Sequence, residues 1–527
     1  MNWKGLLSEK RTREVLGGKP SSKSSDDLRA EFERDYDRAV FSTPVRRLQD
    51  KAQVFPLEAL DGIRTSLEVS TVARDLASQT FSALAERGLI GRADVTHFTT
   101  IAATCALIHD VGNPPFGHAG EIAIQQWFTK QTESADRNSS ERTILTPLLD
   151  AAGWKTRAYL DFPNFDGNAQ TIRLITKLQV LADQYGLNLT CGTLAAAVKY
   201  LATSEQINKA KGAPHQMSKL GIFASEAELI QKVRDEVGLD GIAARHPVTF
   251  LVEAADDVVY AVVDLEDGIK KGVITWGQLT EELKQRLNSN PILAQVLEGI
   301  GKQLGCDQPK GHIDEDAFAQ AFRIQSIGAV LPSVRRIFHS KLTSIEDGTY
   351  DTELVKDRDC EAATYVAACK EVGRAFVYSS KDVLRLELMG RRIIHDLMDV
   401  FWEGAAQAGP ELRTRDYPGK SYQLISANYR HVYENEKNDS EHSKHYHKLQ
   451  LVTDYVAGMT DTFALSLHTS CNWRSIPSGS PNNRSSLPEL RVSTVAPPIE
   501  SLFTAPCRAS AGTFLRISRN DRGRLQR

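Results

Sequence analysis

Residues 102–121 read AATCALIHDVGNPPFGHAGE, and this stretch decides how the rest of the chain is read. The apolar run Ala102 to Ile108 has helical character, and the Asn113-Pro114-Pro115 step stops it, because a residue before proline is pushed out of the helical region. An adjacent His109-Asp110 pair ends the run, and His118 and Glu121 follow within the next turn. Four groups able to bind a metal or move a proton are thereby gathered at one helix end. A lone His-Asp pair is ordinarily a helix-terminal hydrogen bond. The residues around this one point to chemistry instead.

Working outward, helical periodicity recurs along most of the chain and strand-like alternation is scarce. The spacing predicts helices over 66–88, 94–110, 120–131, 168–185, 191–203, 225–236, 246–271, 276–300, 314–340, 380–405 and 445–466. Residues 1–30 are polar, with a Ser/Asp cluster at 21–27, and predict a mobile arm. In the helix expected over 246–271, Asp256, Tyr260 and Asp264 share one stripe, while Val258, Val259, Val262 and Val263 supply apolar faces.

The string HDVGNPPFGHAGE at 109–121 resembles a signature of the HD-domain deoxynucleoside triphosphate triphosphohydrolases, in particular the bacterial dGTPases. Further strings agree in the family's order: PVRRLQDKAQVFPLE at 44–58, SLEVSTVAR at 66–74, FDGNAQTIRL at 165–174, EAADDVVYAVVDLED at 253–267, LELMG at 386–390 and DYVAGMTDTFAL at 454–465. The resemblance implies a mostly α-helical HD-domain phosphohydrolase fold with additional C-terminal helices, occupying residues 31–466. It implies hydrolysis of dGTP, or another dNTP, to the deoxynucleoside and inorganic triphosphate at a divalent metal.

By the same resemblance, His109, Asp110 and Asp256 are metal ligands, and His118 with Glu121 is the catalytic pair beside the α-phosphate. Arg46, Gln53, Asn113, Lys199, Tyr200, Lys219, Tyr260, Asp264 and Glu387 align with family positions that line the nucleotide pocket. A dNTP carries about four negative charges, so a dication and several basic side chains must neutralise it before water can attack phosphorus. The resemblance implies Mn or Mg as the cofactor, with Fe a further candidate, and by ligand chemistry imidazole with carboxylates suits Mn or Fe and tolerates Mg less well. Assembly as a homo-oligomer, a hexamer by resemblance, and a single-stranded DNA effector are also implied.

Two departures from the family bear on activity. Where the family carries Arg-Leu-Thr-His-Ser-x-Glu-Val, this chain reads Ile63-Arg64-Thr65-Ser66-Leu67-Glu68-Val69, so four residues, including the first metal-binding His, are absent. Deleting four helical residues turns a helix face by about 40° and shortens it by about 6 Å, which packing can absorb better than metal binding can. His97 does not replace the missing ligand, lying about 18 Å up the helix from His109 and roughly 120° round it. The second departure is the tail, 467–527, in which residues 468–527 hold nine Arg and no Lys among many Ser and Pro, the composition of a disordered, off-family addition. The cluster Glu441 to His447 has no standard metal-ligand spacing and reads as surface.

Composition narrows the class. The 527 residues carry a formal charge of −3, which provides no global basic field for nucleic acid. No run of about 18 apolar residues and no N-terminal apolar leader is evident, so neither a membrane span nor secretion is expected. Seven cysteines without CxxC spacing argue for a reduced compartment, and cytoplasmic residence is the expectation. Beside dGTP hydrolysis stand two alternatives: a catalytically deficient relative that binds nucleotide or DNA, and another HD-domain phosphohydrolase.

Overall fold

The computed structural model describes residues 1–20, 26–51, 61–133, 158–179, 184–241, 243–305, 314–407, 416–436 and 444–471. Gln53 and the tail from 472 onward lie outside the described residues. Among those described, helices are the regular structure, and β pairing is limited to isolated bridges at Arg11/Thr190 and Ala202/Leu220. The mostly α-helical expectation holds. No described helix is long and apolar enough to cross a membrane.

Six helices frame the site: α1 (Asp61–Glu86), α2 (Arg92–Ile108), α3 (Gly117–Glu133), α4 (Gly167–Arg173), α5 (Pro247–Lys270) and α6 (Lys381–Ala406). The centre is α5, which packs against α1, α2 and helix Glu315–Ser340. It starts where Pro247 presets the first turn and the His246 ring accepts from Val248 N at 3.2 Å. Most of its residues are buried, its valines and leucines in the core and its buried acids Glu253, Asp264, Glu266 and Asp267 each held by a partner, Arg245, Tyr378, Lys270 and Arg64 respectively. Helix α2 begins with the Asp94 carboxylate accepting from Gly91 N at 3.0 Å and delivers His109 at its C-cap.

Three expected helices are interrupted. The 276–300 segment forms Trp276–Leu287 and Pro291–Leu304, broken at Asn288, whose φ is +46°, and restarted by Asn290 capping Ile292 and Leu293. The 445–466 segment divides into Lys444–Ala457 and Asp461–Cys471 around Gly458. Helix α4 ends at Arg173, and Leu174–Leu178 continues it as a wider π turn.

The mobile-arm expectation for residues 1–30 is corrected for its first part. Leu6 is buried, and Trp3 lies edge-on to Phe81 and Phe98. The Arg11 guanidinium is buried against Asp35 at 2.9 Å and also holds Glu31. Polar residues here bury in pairs, which composition alone does not reveal. His447 and Tyr446, expected at the surface, are buried, His447 lying 3.8 Å from Glu436. Cys105, Cys191, Cys360 and Cys369 are buried and free.

Candidate active site

The turn after α2 is shaped by backbone packing that only particular residues allow. A Cβ on Gly112 would stand 2.2 Å from Gly167 O, so the turn can press against the start of α4 only with glycine. Thr171 of α4 clamps it by accepting from Gly112 N and donating to His109 O, each at 3.1 Å. Phe116 sits at φ +65°, a strained value for a bulky residue, and its amide donates to Asp461 Oδ1 at 2.9 Å. Its ring lies where a Cβ on Gly390 of α6 would come within 2.6 Å, which accounts for the glycine in LELMG.

His109 leaves this turn with Nδ1 2.6 Å from Ala106 O, so that nitrogen donates and Nε2 is presented as the other face of the ring. Nε2 stands 3.2 Å from Asp110 Oδ2 and 3.3 Å from Asp256 Oδ1, yet makes no well-directed hydrogen bond to either. Burial opposes charge on the imidazole, but the two carboxylates outweigh it and hold its pKa well above the ordinary value. The Tyr260 hydroxyl donates to Asp110, and Lys199 Nζ lies 3.4 Å from Asp256 Oδ2. These groups, apart from Tyr260, line a cavity of about 80 Å³ together with Glu253. A larger, open groove of about 510 Å³ by Arg29, Leu67 and Arg74 lies away from these ligand-type residues.

A second group assembles around Asp166. Its carboxylate caps α4 by accepting from Asn168 N at 2.9 Å, and Lys219 Nζ stands 3.6 Å from it. His118 and Glu121 occupy the first turns of α3, three residues apart on one face. Desolvation, then the Asp166 charge, pushes Glu121 up to about 8, against the opposing pull of Lys219 and a hydrogen bond from the Gly167 backbone. Desolvation and Lys219 lower His118, with Asp166 and Glu387 acting the other way. A carboxyl kept protonated beside an imidazole kept neutral is an arrangement suited to proton transfer at neutral pH.

The remaining residues separate. Tyr200 is buried with Lys199 and Lys219 at 5.9 and 5.7 Å from its ring. The Asn113 Oδ1 lies where a Cβ on Gly167 would come within 2.4 Å. Asp264 accepts from the Tyr378 hydroxyl, two turns along α5 from Asp256. Arg46 is exposed on the short helix Thr43–Arg47, whereas its neighbour Arg47 turns inward to Gly458 O at 2.8 Å.

Sequence reasoning missed Lys51. Its buried ammonium donates to the carbonyls of Val111 and Ala457 at 3.3 Å each and to that of Asn113, joining the turn after α2 to the C-terminal helices. The string PVRRLQDKAQVFPLE contains it, but nothing local marks this lysine as buried. The position before Ser66, where the family string has its His, is held on α1 by buried Thr65. His97 packs against the Phe32 ring, away from His109.

Residues 359–470 match the Phosphohydrolase-associated domain family. The chain is 34% identical over 484 residues to a deoxyguanosinetriphosphate triphosphohydrolase-like protein of Listeria monocytogenes, covering 90% of this chain and 99% of that one. A similar protein of Synechocystis is 32% identical, covering 89% and 98%. The deoxyguanosinetriphosphate triphosphohydrolase of Yersinia enterocolitica is 30% identical, covering 85% and 95%.

Proposed function

The chain belongs to the deoxyguanosinetriphosphate triphosphohydrolase family, and on that premise we propose that it hydrolyses a dNTP, dGTP foremost, to the deoxynucleoside and inorganic triphosphate. The observation that carries this reading is the buried His109 Nε2 standing 3.2 Å from Asp110 Oδ2 and 3.3 Å from Asp256 Oδ1 without a well-directed hydrogen bond to either. One imidazole nitrogen flanked by two carboxylates fits a divalent cation in donor type, Mn or Fe by preference with Mg tolerated. Such an ion supplies charge neutralisation for the triphosphate and activation of water.

The chain's own residues do the rest. Lys199 and Lys219, 5.9 and 5.7 Å from the Tyr200 ring, neutralise phosphate oxygens on this reading. Water attacks the α-phosphorus and the bond to the 5′ oxygen breaks, so that oxygen needs a proton. His118 moves this proton and Glu121, protonated near neutrality, is its reservoir. Asn113, Tyr260, Asp264 and Glu387, with Arg46 and Gln53, are assigned to positioning the nucleotide on the strength of the family resemblance. That resemblance also underlies a hexameric assembly, cytoplasmic residence and a single-stranded DNA effector.

A second reading, a catalytically deficient relative that binds nucleotide without turnover, is favoured by Thr65 at the place of the first ligand and by the ammonium of Lys199 on Asp256. Anaerobic incubation with dGTP and Mn, with bound metal counted, separates the readings. Deoxyguanosine and triphosphate in equal amounts support the enzyme, orthophosphate indicates a different phosphohydrolase, and nucleotide binding without either product supports the deficient relative.

A further inference from the structure

Beside the catalytic cavity, His215, Glu253 and Glu353 bring one ligand atom each to within 4.8 Å of one another. They come from three separate parts of the chain: the short turn His215–Met217, helix α5 and the segment after Tyr350. His215 Nε2 is 2.5 Å from Glu353 Oε1 and 3.9 Å from Glu253 Oε1. Among the described residues, this is the group whose metal-ligating atoms lie mutually close.

His215 Nε2 and Glu353 Oε1 pair with each other, an ion would replace the proton between them, and Glu253 Oε1 has no donor. Arg245 holds Glu253 through Oε2 at 3.1 Å, and Lys356 holds Glu353 through Oε2. One oxygen of each carboxylate is thus fixed by a cation, as outer partners orient metal ligands elsewhere, and the other oxygen faces His215. Glu253 is 2% exposed, and its Oε1 accepts no hydrogen bond, which is costly for a buried carboxylate oxygen. His215 is part-exposed, so an ion can reach the group from solvent.

We propose that His215, Glu253 and Glu353 form a second divalent-cation site, distinct from His109, Asp110 and Asp256. One imidazole and two carboxylates, completed by water, suit Zn or Mn. Glu253 lies three residues before Asp256 on α5, about 4.5 Å along the helix axis, so the site abuts the catalytic cavity without sharing a ligand with it. An ion bridging His215 to Glu253 ties the 199–219 segment, which carries Lys199, Tyr200 and Lys219, to α5, while the His215 amide already donates to Asp351 O at 3.0 Å. The site stands independently of the proposed hydrolysis.

The test is zinc binding by the full-length chain after EDTA stripping, with ions counted by elemental analysis and calorimetric titration. H109A/D110A protein should bind one zinc per chain with a rise in Tm, and H109A/D110A/H215A none. H215A alone should lower the count of the otherwise unaltered chain by one, a reading that does not depend on the H109A/D110A background folding. An unchanged count in H215A, or one zinc retained in the triple variant, overturns the proposal and leaves the group a plain ion triad with His215 protonated.

Discussion

Lys199 Nζ stands 3.4 Å from Asp256 Oδ2, so an ammonium already neutralises the carboxylate assigned to the metal ion. Lysine and cation therefore compete for Asp256 until substrate phosphates draw the lysine away. Lys199→Met should tighten Mn binding while raising KM for dGTP by about tenfold, the loss expected for a charged hydrogen bond. Mn titration and steady-state kinetics check both directions, and weaker Mn binding in the variant would sink the competition argument.

The junction between Thr65 and Ser66 is the place to restore the missing ligand if its loss limits activity. Ser70 Oγ donates to Ala103 O at 2.8 Å, pinning α1 to α2 just beyond the gap. Inserting Arg-Leu-Thr-His between Thr65 and Ser66 should raise metal content and dGTP turnover. Arg-Leu-Thr-Ala should restore helix length but neither property. Equal metal content in both insertions and the parent would show that another group completes the site.

His118→Ala should lower kcat by about 10²-fold or more with metal content unchanged, because in the proposed mechanism the residue moves a proton and anchors no ion. Retained kcat in a variant with full metal would remove His118 from the mechanism.

Glu121 offers a pH test with a defined sign. Its folded pKa of about 8 lies above its unfolded value, so the folded state binds the extra proton. By linkage, this residue's contribution to stability is greatest at low pH and is lost as pH rises from about 4.5 towards 8. Glu121→Gln carries no such proton, so its Tm relative to the parent should rise between pH 5 and pH 8 in EDTA. A parallel shift of the two pH curves would falsify the raised carboxyl.

Arg173 joins α4 to the C-terminal region through Glu226 and Asp454 at 2.8 Å each and Glu436 at 3.1 Å. Arg173→Met leaves the buried Asp454 carboxylate without its cation, while Lys177 still holds Glu226 and Glu436, and breaking a buried pair costs about 3–5 kcal/mol. Urea unfolding should show a loss of that size. A change below about 1 kcal/mol would mean the carboxylates re-pair or protonate without strain.

Particular residues show how far the sequence carries. His109, Asp110, Asn113 and His118 were legible because they are neighbours in the chain, and a helix stopped by two prolines gathers them whatever surrounds it. The stripe Asp256, Tyr260, Asp264 was legible for the same reason, since helical periodicity is local. The π turn after Arg173 and the break at Asn288 were not, because each interruption reflects packing and backbone geometry that periodicity does not report.

The ordered strings and apolar periods of this chain by themselves determined its helical class, its family likeness and the candidate ligands. Only the tertiary structure decided that Lys51 and Arg173 are buried, that the N-terminal segment packs on Phe81 and Phe98, and that His215 meets two glutamates. Helix formation depends on residues a few positions apart. Burying a charge depends on partners hundreds of positions away, such as Asp454 for Arg173, and it is stable only once the fold has brought those partners within hydrogen-bonding distance.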